Sequence, residues 1–123
     1  MKPDSFLRRR LAAFGYAFAG IRLLLTTQVH AWIHLAATVA VVVAGFALEV
    51  SRIEWGLLIM AIGTVWTAEG INTAIEFTVD LASPEHHKLA GQAKDVAAGA
   101  VLLAALAAAC IGAIVFLPKL VAL

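Results

Sequence analysis

Phe6, Leu7, Leu11, Phe14, Phe18, Ile21 and Leu25 recur largely at steps of three and four, with Arg8, Arg9 and Arg22 off that stripe. This period predicts an amphipathic helix over residues 6–25. Arginines level with head groups and aromatics at the acyl boundary suit a helix lying in the membrane surface, so residues 1–27 are assigned to an interfacial helix. After it the alternation stops. Three apolar runs follow, at residues 29–48, 55–81 and 96–117, and each reaches the ~20 residues that a 30 Å hydrocarbon core requires. A polar connector at residues 49–54 and a charged segment with Pro and Gly at residues 80–95 separate them, and Pro118 is expected to stop the last. The expected fold is an all-α membrane protein: an amino-terminal interfacial helix and three transmembrane helices, in a single domain spanning residues 1–123.

Composition agrees with the pattern. Of 123 residues, 63% are hydrophobic and 14% charged, and the mean hydropathy is +0.95, which excludes a soluble domain of ordinary composition. The net charge of +1 asks for no nucleic-acid partner. Its distribution says more, because Lys2, Arg8, Arg9, Arg10, Arg22, Lys88 and Lys94, seven of the nine cations, lie before the first span or between the second and third. By the bias of basic residues toward the inside, the amino terminus and the second loop are cytoplasmic, in the cell's inner membrane. Cys110 is the one cysteine, which rules out a disulfide within the chain. Ala97, Gly99, Ala100, Ala104 and Ala108 let helices approach closely in lipid.

The second span carries the residues that need explaining. Glu69, Asn72 and Glu76 interrupt it, with no Lys or Arg between Trp55 and Leu81. At about 100° per residue, Asn72 falls within about 60° of Glu69 and Glu76 within about 20°, the two carboxylates being about 10.5 Å apart along the axis. A charge at the bilayer centre costs about 2.5–3.5 kcal/mol on translocon scales, so the stripe must face partners or water. Glu76, Asp80, Lys94 and Asp95 are expected to meet at the inner surface, with Glu69 about two turns deeper. That arrangement fits a reaction between a cytoplasmic solute and the polar head of a lipid: the deeper carboxylate as general base, the shallower one as a ligand of Mg²⁺, which takes one or two protein carboxylates and completes its shell with phosphate and water. ATP is the natural phosphoryl donor, and phosphoryl transfer asks chiefly for positioning and neutralisation. The other class that such carboxylates mark is an ion or proton pathway.

Several runs together resemble the prokaryotic diacylglycerol kinase family: Glu-Gly-Ile-Asn-Thr-Ala-Ile-Glu at residues 69–76, Val79 and Asp80, Ser83, Pro84 and Glu85, His87, and Ala-Lys-Asp-Val-Ala-Ala-Gly-Ala-Val at residues 93–101. Gly15, Tyr16, Gly20, Ile33, His34, Leu35 and the turn at residues 51–55 extend the likeness over nearly the whole chain. The loop and the alanine-rich run look more like the undecaprenol kinase branch. The resemblance implies a homotrimeric bundle with active sites shared between subunits. It implies Glu69 as catalytic base, supported by Asn72, and Glu76 as Mg²⁺ ligand, with Arg9, Tyr16, Glu85, His86, His87, Lys94 and Asp95 at the nucleotide. Two departures stand out. Gln28 occupies the place where many relatives carry a second metal-binding glutamate, and His86 replaces the usual Tyr. The substrate implied is a membrane lipid alcohol, undecaprenol before diacylglycerol; a relative without catalysis is the alternative that Gln28 raises. His30 and His34, four residues apart, lack a nearby Cys or carboxylate in the sequence to complete a transition-metal site.

Overall fold

A computed structural model describes residues 3–123 as four helices: α1 (Pro3–Thr27), α2 (Val29–Ala47), α3 (Arg52–Ala82) and α4 (Lys88–Val121). No strand occurs among the described residues. The last three are long and apolar enough to cross a membrane. At 1.5 Å per residue, the 31 residues of α3 and the 34 of α4 reach roughly 46 and 51 Å, well beyond a hydrocarbon core of about 30 Å. Both helices therefore carry whole turns past the membrane.

This extra length corrects two expected boundaries. The second loop is confined to residues 83–87, and residues 88–95 are helical. Lys94 and Asp95 sit two turns inside α4 and do not open it. Charge marks where a helix leaves lipid, which is a different point from where its backbone hydrogen bonds end. Pro118 likewise lies inside α4, which continues to Val121. Proline removes one donor from the ladder, but its own carbonyl still accepts from Ala122 N at 3.2 Å.

At the α2–α3 end the chain reverses in four residues. Val50 N donates to Gly45 O at 3.1 Å and Glu49 N to Phe46 O at 3.3 Å, the pair of bonds of a Schellman cap. Glu49 occupies the left-handed position with φ 52°, where Gly is the usual residue. Ser51 then caps α3: its hydroxyl accepts from Glu54 N at 3.2 Å, and Glu54 Oε1 accepts from Ser51 N at 2.9 Å, a capping box. Arg52, Ile53 and Glu54, expected in a connector, are thus the first turn of α3.

Lys119 of α4 reaches Glu54 at 3.1 Å and ties the third span to the same turn. Beneath it, Val50, Leu58 and Val115 form a buried cluster with Val41, Trp55, Ile111 and Phe116 around it. Gly45 lets the Trp55 ring lie against α2: a Cβ there would meet Trp55 Cη2 at 2.5 Å. The α3–α4 pair is the main packing unit. Much of the apolar surface faces outward, including Leu103 at 70% and Ile114 at 70% exposure on α4, as befits helices whose outer faces meet lipid or other helices.

α1 is a continuous helix whose Phe6, Leu7, Leu11, Phe14, Phe18 and Ile21 are all exposed. Arg10 stacks over the Phe6 ring at 5.1 Å. Gln28 alone separates α1 from α2, with extended φ −107° and ψ 118°.

Candidate active site

The stripe on α3 is inward-facing. Glu69 is 3% exposed, Asn72 8% and Thr73 5%, although the rest of the molecule leaves most side chains open. Asn72 Nδ2 donates to Glu76 Oε1 at 3.3 Å, one turn further along, as side chains at i and i+4 do. Asn72 Oδ1 and Thr73 Oγ1 are buried without a hydrogen-bond partner. Unsatisfied buried oxygens are uncommon, and they concentrate where a ligand, ion or water completes the structure.

Glu69 is not left alone. His34 of α2 places Nε2 3.2 Å from Glu69 Oε2. His34 is itself held from two sides: the Trp66 ring stands edge-on to it at 6.2 Å, and Thr38 Oγ1 donates to the His34 carbonyl at 2.7 Å. The same Thr38 hydroxyl accepts from Trp66 Nε1 at 2.9 Å. Sequence reasoning missed this partnership because the residues are 35 apart and on different helices. The available signal was two histidines, His30 and His34, in a span with no Asp, Glu, Lys or Arg before its end. The carboxylate that the His30 and His34 reading found absent is supplied here by the fold.

Near the loop that joins α3 to α4, Lys94 Nζ pairs with Asp80 Oδ1 across the α3–α4 interface, both partly open to water. Asp95 is exposed on α4. The intervening loop is braced locally: Ser83 Oγ donates to Glu85 O at 3.0 Å, and His87 Nδ1 accepts from Leu89 N at 3.1 Å as the cap of α4. Glu85, His86 and His87 are exposed. Arg9 and Tyr16 also present free side chains, far along α1, and Gln28 Nε2 donates to Thr27 Oγ1 at 3.2 Å. The structure thus joins Glu69 to His34, Asn72 to Glu76 and Lys94 to Asp80; among the described residues, it forms no hydrogen bond between these groups and Arg9, Tyr16, Gln28 or the loop.

An apolar groove of about 800 Å³ runs between α1, α2 and α3, lined by Ala17, Gly20 and Leu24 on α1 and by Trp66, Gly70 and Thr73 on α3, among others. Thr73, whose hydroxyl is unpartnered, thus lines a mainly apolar wall together with Thr38, Trp66 and Thr67. The groove and the carboxylate stripe occupy adjoining faces of one helix.

No cluster of three or more His, Cys, Asp or Glu side chains capable of enclosing a metal occurs among the described residues. The oxygen donors present, the Glu76 carboxylate and the orphaned Asn72 Oδ1, do fit a hard cation that shares its shell with phosphate and water.

The chain is similar to known proteins over most of its length. The family profile described as prokaryotic diacylglycerol kinase matches residues 15–116. An undecaprenol kinase of Bacillus subtilis is 45% identical over 114 residues, covering 93% of this chain and 93% of the relative. A diacylglycerol kinase of Synechocystis is 42% identical over 114 residues, covering 92% of this chain and 65% of the relative. That of Escherichia coli K12 is 38% identical over 108 residues, with 81% and 82% covered. With most of its length matched and the α3 stripe inside the match, the chain belongs to the prokaryotic diacylglycerol kinase family.

Proposed function

We propose that this chain is an ATP- and Mg²⁺-dependent kinase that phosphorylates the hydroxyl of a membrane lipid alcohol, undecaprenol in preference to diacylglycerol. The observation that carries the reading is the buried Glu69 carboxylate on the same helix as a lipid-sized apolar groove, with Asn72 and Glu76 leading from it to the cytoplasmic end of α3. Kinase chemistry on a lipid is what family membership brings. Undecaprenol is placed first because the relative of that name is the more similar, at 45% against 38% for the Escherichia coli diacylglycerol kinase.

In this mechanism the lipid tail lies in the groove and its hydroxyl meets Glu69, which accepts the proton as the oxygen attacks the γ-phosphorus; the bond from that phosphorus to the β-phosphate oxygen breaks and ADP leaves. Asn72 holds the Glu76 carboxylate toward the nucleotide. Glu76 would hold Mg²⁺, with the Asn72 amide oxygen and Gln28 as further donors, and the ion would neutralise phosphate charge. Lys94 and Asp95 engage the nucleotide, joined by Arg9, Tyr16, Glu85, His86 and His87; the partly exposed Lys94–Asp80 pair costs little to exchange for a phosphate contact. The chain works as one domain in a homotrimer in the inner membrane, amino terminus inside, with neighbouring copies completing each site.

Transfer of labelled phosphate from ATP to a panel of purified lipid alcohols tests the reading. Undecaprenol should be labelled fastest and diacylglycerol more slowly, both only with Mg²⁺. Absence of label on every lipid alcohol would overturn it.

A further inference from the structure

Beyond the reading above, and resting on it, we infer that His34 is the positioning residue of the catalytic carboxylate. Glu69 has two oxygens with different fates. Oε2 lies 3.2 Å from His34 Nε2, while Oε1 forms no hydrogen bond among the described residues. A buried carboxylate with both oxygens free would rotate about its last torsion, whereas one held at a single oxygen presents the other in a fixed direction. One oxygen fixed and one open is the division a general base needs.

An imidazole suits both protonation states of its partner. While Glu69 is ionised its oxygens only accept, so Nε2 carries the proton and donates to Oε2. Once Oε1 has taken the lipid's proton, Oε2 is the carbonyl oxygen of the neutral acid and still accepts from Nε2, so no proton on the imidazole has to move. The carboxyl group thus keeps its orientation through the proton transfer. Thr38 and Trp66 keep the ring itself in place by binding the His34 carbonyl and flanking the imidazole. His34 touches neither the lipid nor the nucleotide in this role.

The surroundings offer no substitute. Among the described side chains, the remaining titratable and charged groups of the packed helices are His30 on α2; Arg8, Arg9, Arg10, Tyr16 and Arg22 on α1; Arg52, Glu54, Glu76 and Asp80 on α3; and Lys88, Lys94, Asp95, Cys110 and Lys119 on α4. Among the described residues none of these forms a hydrogen bond or ion pair with Glu69.

The test compares wild type, His34→Leu and His34→Gln in lipid bilayers, by kcat and KM for the lipid across pH and by the infrared carboxylic-acid C=O band, assigned with Glu69→Gln. His34→Leu removes the donor to the ionised form, so the acid limb of its rate profile and the appearance of the C=O band should both move to higher pH. A one-unit movement lowers the rate about tenfold on the acid side, in kcat more than in KM. His34→Gln, whose amide can donate or accept but not titrate, should restore most of both. Unchanged pH dependence of rate and band in His34→Leu would overturn the inference, as would a Gln variant no better than Leu. The infrared band needs no turnover, so loss of the kinase reading and loss of the His34 role are separate results.

Discussion

The two ends of the α3–α4 pair are built on opposite principles. At the turn end, where α2 leads into α3, the polar contacts close within the chain: a Schellman cap ends α2, Ser51 and Glu54 exchange hydrogen bonds, and Lys119 joins them. The apolar cluster of Val50, Leu58 and Val115 lies directly below. The loop end leaves Asn72 Oδ1 and Thr73 Oγ1 without partners and uses an easily exchanged pair, Lys94 and Asp80, at its surface. One end commits its polar groups to the fold, and the other leaves them open to a ligand. Substitutions should therefore separate cleanly, stability responding to the turn end and activity to the loop end.

The largest effect is expected from Glu69→Gln. Removing a general base lowers turnover by about 10²–10⁴-fold, whereas the isosteric amide spares the cost of a buried charge and can still accept from His34 Nε2, so the fold should be retained. Turnover and thermal unfolding measured on the same detergent-solubilised sample check both halves, and parallel loss of the two would break the comparison. Asn72→Leu comes next: it removes a hydrogen bond to a carboxylate, worth about 1.5–3 kcal/mol, and should raise the Mg²⁺ concentration needed for half-maximal rate by at least about tenfold. Titrating Mg²⁺ at saturating ATP reads it.

At the turn end, Gly45→Ala drives a methyl group into the Trp55 ring. Overpacking of this kind costs about 1–3 kcal/mol; the unfolding temperature should fall, Trp55 fluorescence should change, and kcat per folded molecule should stay the same. The smallest effect is Glu49→Gly. It relieves a left-handed residue and should stabilise by about 0.5–1 kcal/mol, visible only as a small rise in unfolding temperature.

The stripe of Glu69, Asn72 and Glu76 was legible because it repeats within one helix, and helical spacing is a property of the sequence. The three spans were legible by length and apolarity. Their ends were not: Lys88, Lys94 and Asp95 read as loop because charge was used as a boundary, while the helix runs on into water. Pro118 read as a stop because its missing donor counts heavily in a helix interior, yet α4 persists for three residues beyond it. The turn at Ser51 carries a capping-box spacing that sequence alone could have disclosed, and it was taken for a connector. The His34–Glu69 contact had no local signature. It exists only once α2 and α3 are side by side, as do the Lys94–Asp80 pair and the groove that Thr73 borders.

Gln28 is the sole break between two rigid rods. The 25 residues of α1 make a lever roughly 37 Å long, so a swing of about 10° at this single joint moves the far tip by about 6 Å while the roots of both helices hardly shift. Arg9 rides near that tip, whereas Ala17, Gly20 and Leu24 sit closer to the pivot along the groove wall. One pair of backbone torsions therefore aims a cation and sets the width of a hydrocarbon slot together, coupling the pose of two chemically unrelated groups through a single amino acid.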